Sequence, residues 1–217
     1  MRKNITFGNV SSKIANDKAL PNALSLVFHP VLMPIAGTLL ILFYSGLYIT
    51  MLPARAKEII LLIVGVCTLL LPVLLLLFYR IHQRVSDLRV SERRERIMPL
   101  ISTAVFYFMA YRVLHDLHTP YIIQKFVLAS AVAVFLTSII SLSWKISLHG
   151  VGIGGITGMS AALSVVSAAL LPCMLVAIIL SGIIGYARIK LNAHTPAQYY
   201  AGVLLGFSVM FGMFFLF

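Results

Sequence analysis

The sequence predicts an all-α fold, a polytopic bundle of six or seven transmembrane helices. Three observations carry that reading. Of the 217 residues, 60% are hydrophobic and only 11% charged, more apolar side chain than a soluble core of this length can hide. The apolar residues fall in runs near the roughly 20 residues that an α-helix needs to cross a bilayer. The basic residues gather at the ends of those runs, where they meet anionic headgroups.

Taken in order, Phe7 to Val27 mix apolar side chains with Lys13, Asp17 and Lys18, a pattern that suits a helix lying in the headgroup region. Residues 1–30 are therefore read as an interfacial N-terminal segment and residues 31–217 as one transmembrane helical domain. MRKNITFGNVSSKIANDKAL has no apolar run beside its charges and no small-residue cleavage pattern, so no removable signal peptide is expected and the first span is expected to do the targeting. Spans are predicted at Val31 to Leu52, Ile59 to Tyr79, Ile97 to Leu114, Phe126 to Trp144, Val151 to Leu171, Pro172 to Ile189 and Ala197 to Phe217. The third and sixth are short enough to be tilted or partly re-entrant, which leaves the count at seven or six. Cys67 and Cys173 lie inside apolar runs, where a thiol acts as a small hydrophobe.

With seven spans, the N-terminus and the segments 80–96, 145–150 and 188–196 fall on one side. Of the 17 Lys and Arg residues, that side holds 13, leaving Arg55, Lys57, Arg112 and Lys125 opposite. The positive-inside rule makes the basic face cytoplasmic and points to a bacterial inner membrane. The net charge of +11 is thereby assigned to the bilayer surface, and no nucleic-acid partner is expected.

Three stretches on that face carry candidate chemistry. ARIKLNAHTPAQYYAG places Arg188 and His194 just before a helix start, with Thr195 as N-cap, Pro196 at the first helical position and Gln198 at capping-box spacing. A helix N-terminus offers free N–H groups and partial positive charge to a phosphate. WKISLHGVGIGG brings Lys145, Ser147 and His149 to the head of a glycine-rich helix, in which Gly154 and Gly158 read as close helix packing. RVSDLRVSERRERIMPL sets Arg89 and Arg96 seven apart, and the planar guanidinium fork suits phosphate oxygens.

These residues resemble the type 2 phosphatidic acid phosphatases, integral-membrane lipid phosphate phosphatases whose site is shared with vanadium haloperoxidases. The family pattern runs K-x6-R-P, then P-S-G-H, then S-R-x5-H-x3-D. This chain shows Arg89-x6-Arg96, then Ser147-Leu148-His149, then Ala187-Arg188-x5-His194-x3-Gln198. The resemblance implies His194 as the nucleophile that takes the phosphoryl group and His149 as the acid for the leaving oxygen. Arg89, Arg96, Arg188 and Ser147 would cradle the phosphate. It covers the second half of the chain and hardly touches the first 80 residues. Arginine replaces the family's lysine at position 89, the proline after Arg96 is displaced to Pro99, and Ile146 and Leu148 stand for the P and G of the second motif. Two apolar spans also separate the first motif from the second. Gln198 replaces the aspartate, and a neutral amide can orient an imidazole but cannot supply charge, a change that by analogy costs roughly 10⁴ in rate.

The implied reaction needs no cofactor. Three guanidiniums and a helix N-terminus would neutralise the phosphate while His194 attacks in line and His149 protonates the departing alcohol. Only six acidic residues are present, with no carboxylate pair inside a span to hold Mg²⁺, so no metal is expected. The expected activity is that of a lipid phosphate phosphatase or phosphotransferase on polyprenyl mono- or diphosphates or phosphatidate-type lipids. The alternative is a lipid-phosphate binding or transport protein without turnover, which Gln198 favours; a purely structural subunit would leave Arg188, His194 and His149 unexplained. His29, before Pro30, is a secondary candidate for the same face. His115, Asp116 and His118 fall on the opposite face and read as solvated turn residues.

Overall fold

The structure, a computed structural model, describes residues 18–85 and 92–216. No strand occurs among them. Seven helices account for the described chain: α1 (Lys18–Tyr44), α2 (Ala54–Ile81), α3 (Arg94–Asp116), α4 (Tyr121–Ser141), α5 (Leu148–Ser164), α6 (Ala168–Lys190) and α7 (Pro196–Phe215). All but α5 are long and apolar enough to cross a membrane. The most apolar window of α2 is only 22% buried. Leu62, Leu74, Phe78 and, on α6, Ile179 stand exposed on the outer surface, a continuous apolar exterior that only lipid can cover. The chain is a multi-pass α-helical membrane protein.

Prolines place the irregular turns. α1 is interrupted at Phe28 and His29, because Pro30 disfavours helical backbone in the residue before it. His29 is extended (φ −64°, ψ 135°) and its ring accepts from Val31 N–H at 3.4 Å, capping the 3₁₀ turn Pro30–Leu32. In α2 the turn Val66–Leu70 widens to π geometry just ahead of Pro72, which has no N–H to continue the ladder. The boundary predicted at residue 30 thus falls at a break within one long α1; residues 1–17 of the expected interfacial segment lie outside the described residues.

The predicted pattern of short spans is corrected. The third and sixth candidate spans, α3 and α6, are each 23 residues long. The fifth is the short helix, Leu148–Ser164 instead of Val151 to Leu171, with 17 residues covering about 25 Å. It starts early because Ser147 caps it, Oγ accepting from Gly150 N–H at 3.4 Å. It ends at Ser164 although Val165 and Val166 continue the apolar run, and those two are exposed. Hydropathy cannot mark a helix end inside an unbroken apolar stretch.

α5 is the central helix. Gly150, Gly154 and Gly158 recur every fourth residue against Gly202 and Gly206 of α7. A Cβ on Gly154 would overlap the Val203 carbonyl, one on Gly158 that of Phe207, and one on Gly206 that of Val151. The two backbones therefore touch, the small-xxx-small contact of membrane helices. α3 and α4 form an antiparallel pair across a short turn with His118 at φ +52°, and α1 packs across α4 and α5 through Gly37, whose missing Cβ leaves room for the Phe126 ring.

Candidate functional site

One end of the bundle gathers residues from six segments. Ser147 N–H donates to the carbonyl of Gln198 at 3.1 Å, fixing the head of α5 to the head of α7. Arg93 Nη1 donates to Leu142 O at 2.6 Å and Arg96 Nη1 to Ile146 O at 3.3 Å, which ties the start of α3 to the α4–α5 loop. Ser25, on the first half of α1, bridges two more: Arg188 Nη1 donates to its hydroxyl at 3.3 Å, and His149 Nε2 lies 3.0 Å from its carbonyl oxygen. A carbonyl only accepts, so His149 carries its proton on Nε2 in this arrangement. The rings of His29 and His149 meet edge to face at 5.8 Å. Arg96, His149 and His194 are all buried, at 6–8% exposure.

The α6–α7 loop is folded by its own residues. Asn192 takes the left-handed conformation at φ +52° after the last turn of α6, a conformation that asparagine tolerates better than most residues. Ala193 N–H then donates to Arg188 O at 3.1 Å, turning the chain so that His194 is buried beside the cationic cluster. The expected capping box is present: Gln198 N–H donates to Thr195 Oγ1 at 3.3 Å, and Thr195 N–H to Gln198 Oε1 at 3.1 Å. Gln198 therefore spends its carbonyl oxygen on the cap. His194 Nδ1 is buried without a hydrogen-bond partner among the described residues, although the Gln198 side chain still stands close enough to act on the imidazole.

Burial, followed by the charges of Arg96, Arg188 and Lys145, lowers the His194 pKa to about 4, with Gln198 opposing the shift. The imidazole is neutral at pH 7 and keeps a lone pair. Burial and the Arg96 and Arg188 charges lower Lys145 as well, against the opposing pull of Glu92. Cations held this close repel one another, and an anion bound among them would offset that repulsion.

Beneath this cluster opens a cavity of about 440 Å³, a volume typical of small-ligand sites. Ser25, His29, Arg96, His149 and Arg188 line its head. Its shaft runs into the bundle past Pro72 of α2, Tyr107 of α3, Phe126 of α4, Ile156 of α5 and Met210 of α7. Leu26 and Val73, which also line it, are exposed on the outside of the bundle, so the cavity faces the bilayer between α1 and α2.

Of the candidates read from sequence, Arg96, Arg188 and His149 share the cavity head. His194 is buried beside the arginines but does not line the cavity, and Ser147 is sealed in as the α5 cap. Arg89 lies outside the described residues. His29, a secondary candidate in the sequence, stands at the cavity head. Ser25 was missed, and no local signal could have found it, since a serine in an amphipathic stretch looks like any headgroup-facing residue. His115 and Asp116 lie at the far end of α3, exposed, with Asp116 3.5 Å from Arg112 and 3.4 Å from His115.

Fold and site together define a class: a multi-pass helical membrane protein with an amphipathic cavity, cationic at its head and apolar along its shaft. No protein-family model matches the chain, and no curated protein and no solved structure matches it.

Proposed function

We propose that this protein is an integral-membrane lipid phosphate phosphatase or phosphotransferase acting through a histidine nucleophile. The observation that carries the reading is the cavity, which offers two guanidiniums and an imidazole N–H at one end and a hydrocarbon-lined shaft at the other. A phosphorylated lipid matches both ends; a soluble phosphate ester matches only the head. In the reaction, the neutral His194 ring, buried beside the arginines but outside the cavity lining, must turn toward the cavity head to attack phosphorus. The P–O bond to the lipid breaks, and His149 Nε2 gives its proton to the leaving oxygen. Water then cleaves the phosphohistidine and returns His194. Arg96 and Arg188 hold the phosphoryl oxygens throughout. The substrate must first take over the two hydrogen bonds that Ser25 now makes to Arg188 and His149. The gathering of the basic segments at one end supports placing the site on the cytoplasmic face of a bacterial inner membrane.

A second reading, lipid-phosphate binding or transport without turnover, is favoured by one observation: Gln198 Oε1 is engaged in its own helix cap, and a neutral amide there supplies no charge to His194. The deciding experiment incubates purified protein in nanodiscs, with chelator, with phosphatidate, phosphatidylglycerophosphate and polyprenyl mono- and diphosphates. Phosphate release that vanishes in His194→Ala supports the phosphatase. Binding without release, with turnover appearing in Gln198→Asp, supports the second reading.

A further inference from the structure

α3 presents one face to the cavity along its whole upper half. Arg96, Pro99, Leu100, Thr103 and Tyr107 all line it, at the i, i+3, i+4, i+7 and i+11 spacing of a single helical stripe. Tyr107 is the odd member. Its side chain is 3% exposed and lines the cavity, and none of the side-chain hydrogen bonds found among the described residues involves its hydroxyl. The other hydroxyls on the shaft have spent their protons on their own helices: Thr103 Oγ1 donates to Pro99 O at 2.7 Å and Ser130 Oγ to Phe126 O at 2.9 Å. The fully buried tyrosine of α7, Tyr199, donates to Ser181 O at 2.6 Å. A phenol in an apolar shaft needs an acceptor, which water supplies when the cavity is empty and a ligand carbonyl can supply when it is filled.

The eleven residues from Arg96 to Tyr107 rise about 16 Å along the axis. Side chains on a helix lean toward its N-terminus, Arg96 and Tyr107 alike, so the guanidinium and the hydroxyl stay about as far apart as that rise. That separation can be bridged by a phosphorylated polyol or sugar unit carrying an acyl linkage. We propose that Tyr107 is a specificity residue, a second contact that donates a hydrogen bond to an acyl carbonyl oxygen of the lipid. The chain is thereby selective for ester- or amide-linked acyl lipid phosphates over polyprenyl phosphates, whose tails contain no acceptor. This rests on the lipid phosphate reading above.

The test compares three lipids in nanodiscs: dioleoyl phosphatidate, its di-O-alkyl ether analogue, which keeps the shape and loses both carbonyls, and farnesyl phosphate. Affinities are measured for the native protein, Tyr107→Phe and Arg188→Ala. The native protein should hold the diacyl lipid about tenfold more tightly than the diether, and Tyr107→Phe should bring that ratio to about one by weakening the diacyl lipid alone, as expected for one lost hydrogen bond. With ¹³C-carbonyl phosphatidate, the ester stretch should shift to lower frequency on binding to the native protein, a readout that does not depend on the variant folding. Equal affinity for diacyl and diether lipids, an unchanged ratio in Tyr107→Phe, or an unshifted carbonyl band would overturn the role of Tyr107 while leaving the phosphate site standing. Native protein that binds none of the three, or Arg188→Ala that binds all three as well as the native protein, would overturn the lipid phosphate reading itself.

Discussion

The two sides of α5 show opposite ways of building a membrane protein interior. Toward α7, Gly150, Gly154 and Gly158 let backbone lie on backbone. Toward α1 and α3, the same helix lines a cavity beside its direct contact with Met33, and arginine and histidine side chains reach across the cavity head to backbone carbonyls and Ser25. At those three glycines the first side has no freedom: a single added carbon would run into the backbone of α7. The second can exchange partners, because each of its hydrogen bonds can be handed to an incoming anion. Rigidity on one side holds His149 in place, and the open side leaves room for a ligand.

The sharpest way to break this contrast is to add bulk to the rigid side. Gly154→Val would drive side-chain carbons into the Val203 carbonyl. It should cost about 3 kcal/mol or more of stability, or prevent folding, as overpacking without relief does, and thermal unfolding in detergent would register it. By contrast, Arg188→Ala on the open side should spare most of the melting temperature while weakening lipid phosphate binding roughly tenfold to a hundredfold, the weight of a charge-assisted hydrogen bond and its Coulomb partner. Arg188→Lys should recover the charge but only part of the binding.

Acidification should separate the two sides next. The His194 pKa of about 4 in the folded protein lies below its ordinary value of 6.5. Between those values the unfolded chain binds the extra proton, so stability should fall as pH drops from 6.5 toward 4, and His194→Phe should flatten that part of the profile. A profile that does not change on substitution would show that the ring is not held neutral. Ser25→Ala should have a smaller effect, within about 1 kcal/mol of stability, and should tighten lipid phosphate binding by removing a competitor for Arg188. The smallest effect is expected at Gly155, where a Cβ would meet Met210 Cγ at an ordinary 3.5 Å. Gly155→Ala should be neutral or stabilising by up to about 1 kcal/mol through helix propensity, in contrast with its neighbour Gly154.

Features that depend on neighbouring residues were legible in the sequence. The capping box of Thr195 and Gln198 and the close packing at Gly154 and Gly158 of α5 involve groups within four residues of one another or one repeated spacing. They appear in the structure at the positions expected. The convergence of Arg96, His149 and Arg188 was also legible, because alternating spans force every second loop to one side. The end of α5 was not, since Leu163 to Leu171 offers hydropathy no boundary apart from Ser164 and Ser167.

The chain by itself determined that it would lie in a bilayer as helices, with its cations at one end, because burying its apolar surface and pairing its backbone leave no other solution. Tertiary structure alone decided which of those cations share a cavity and what satisfies them. His149 and Arg188 find Ser25 across 124 and 163 residues of sequence, and Tyr107 lines the cavity only because of how the neighbouring helices stand around it. Such contacts depend on relative helix positions set by close backbone packing, and no pattern along a single segment encodes them.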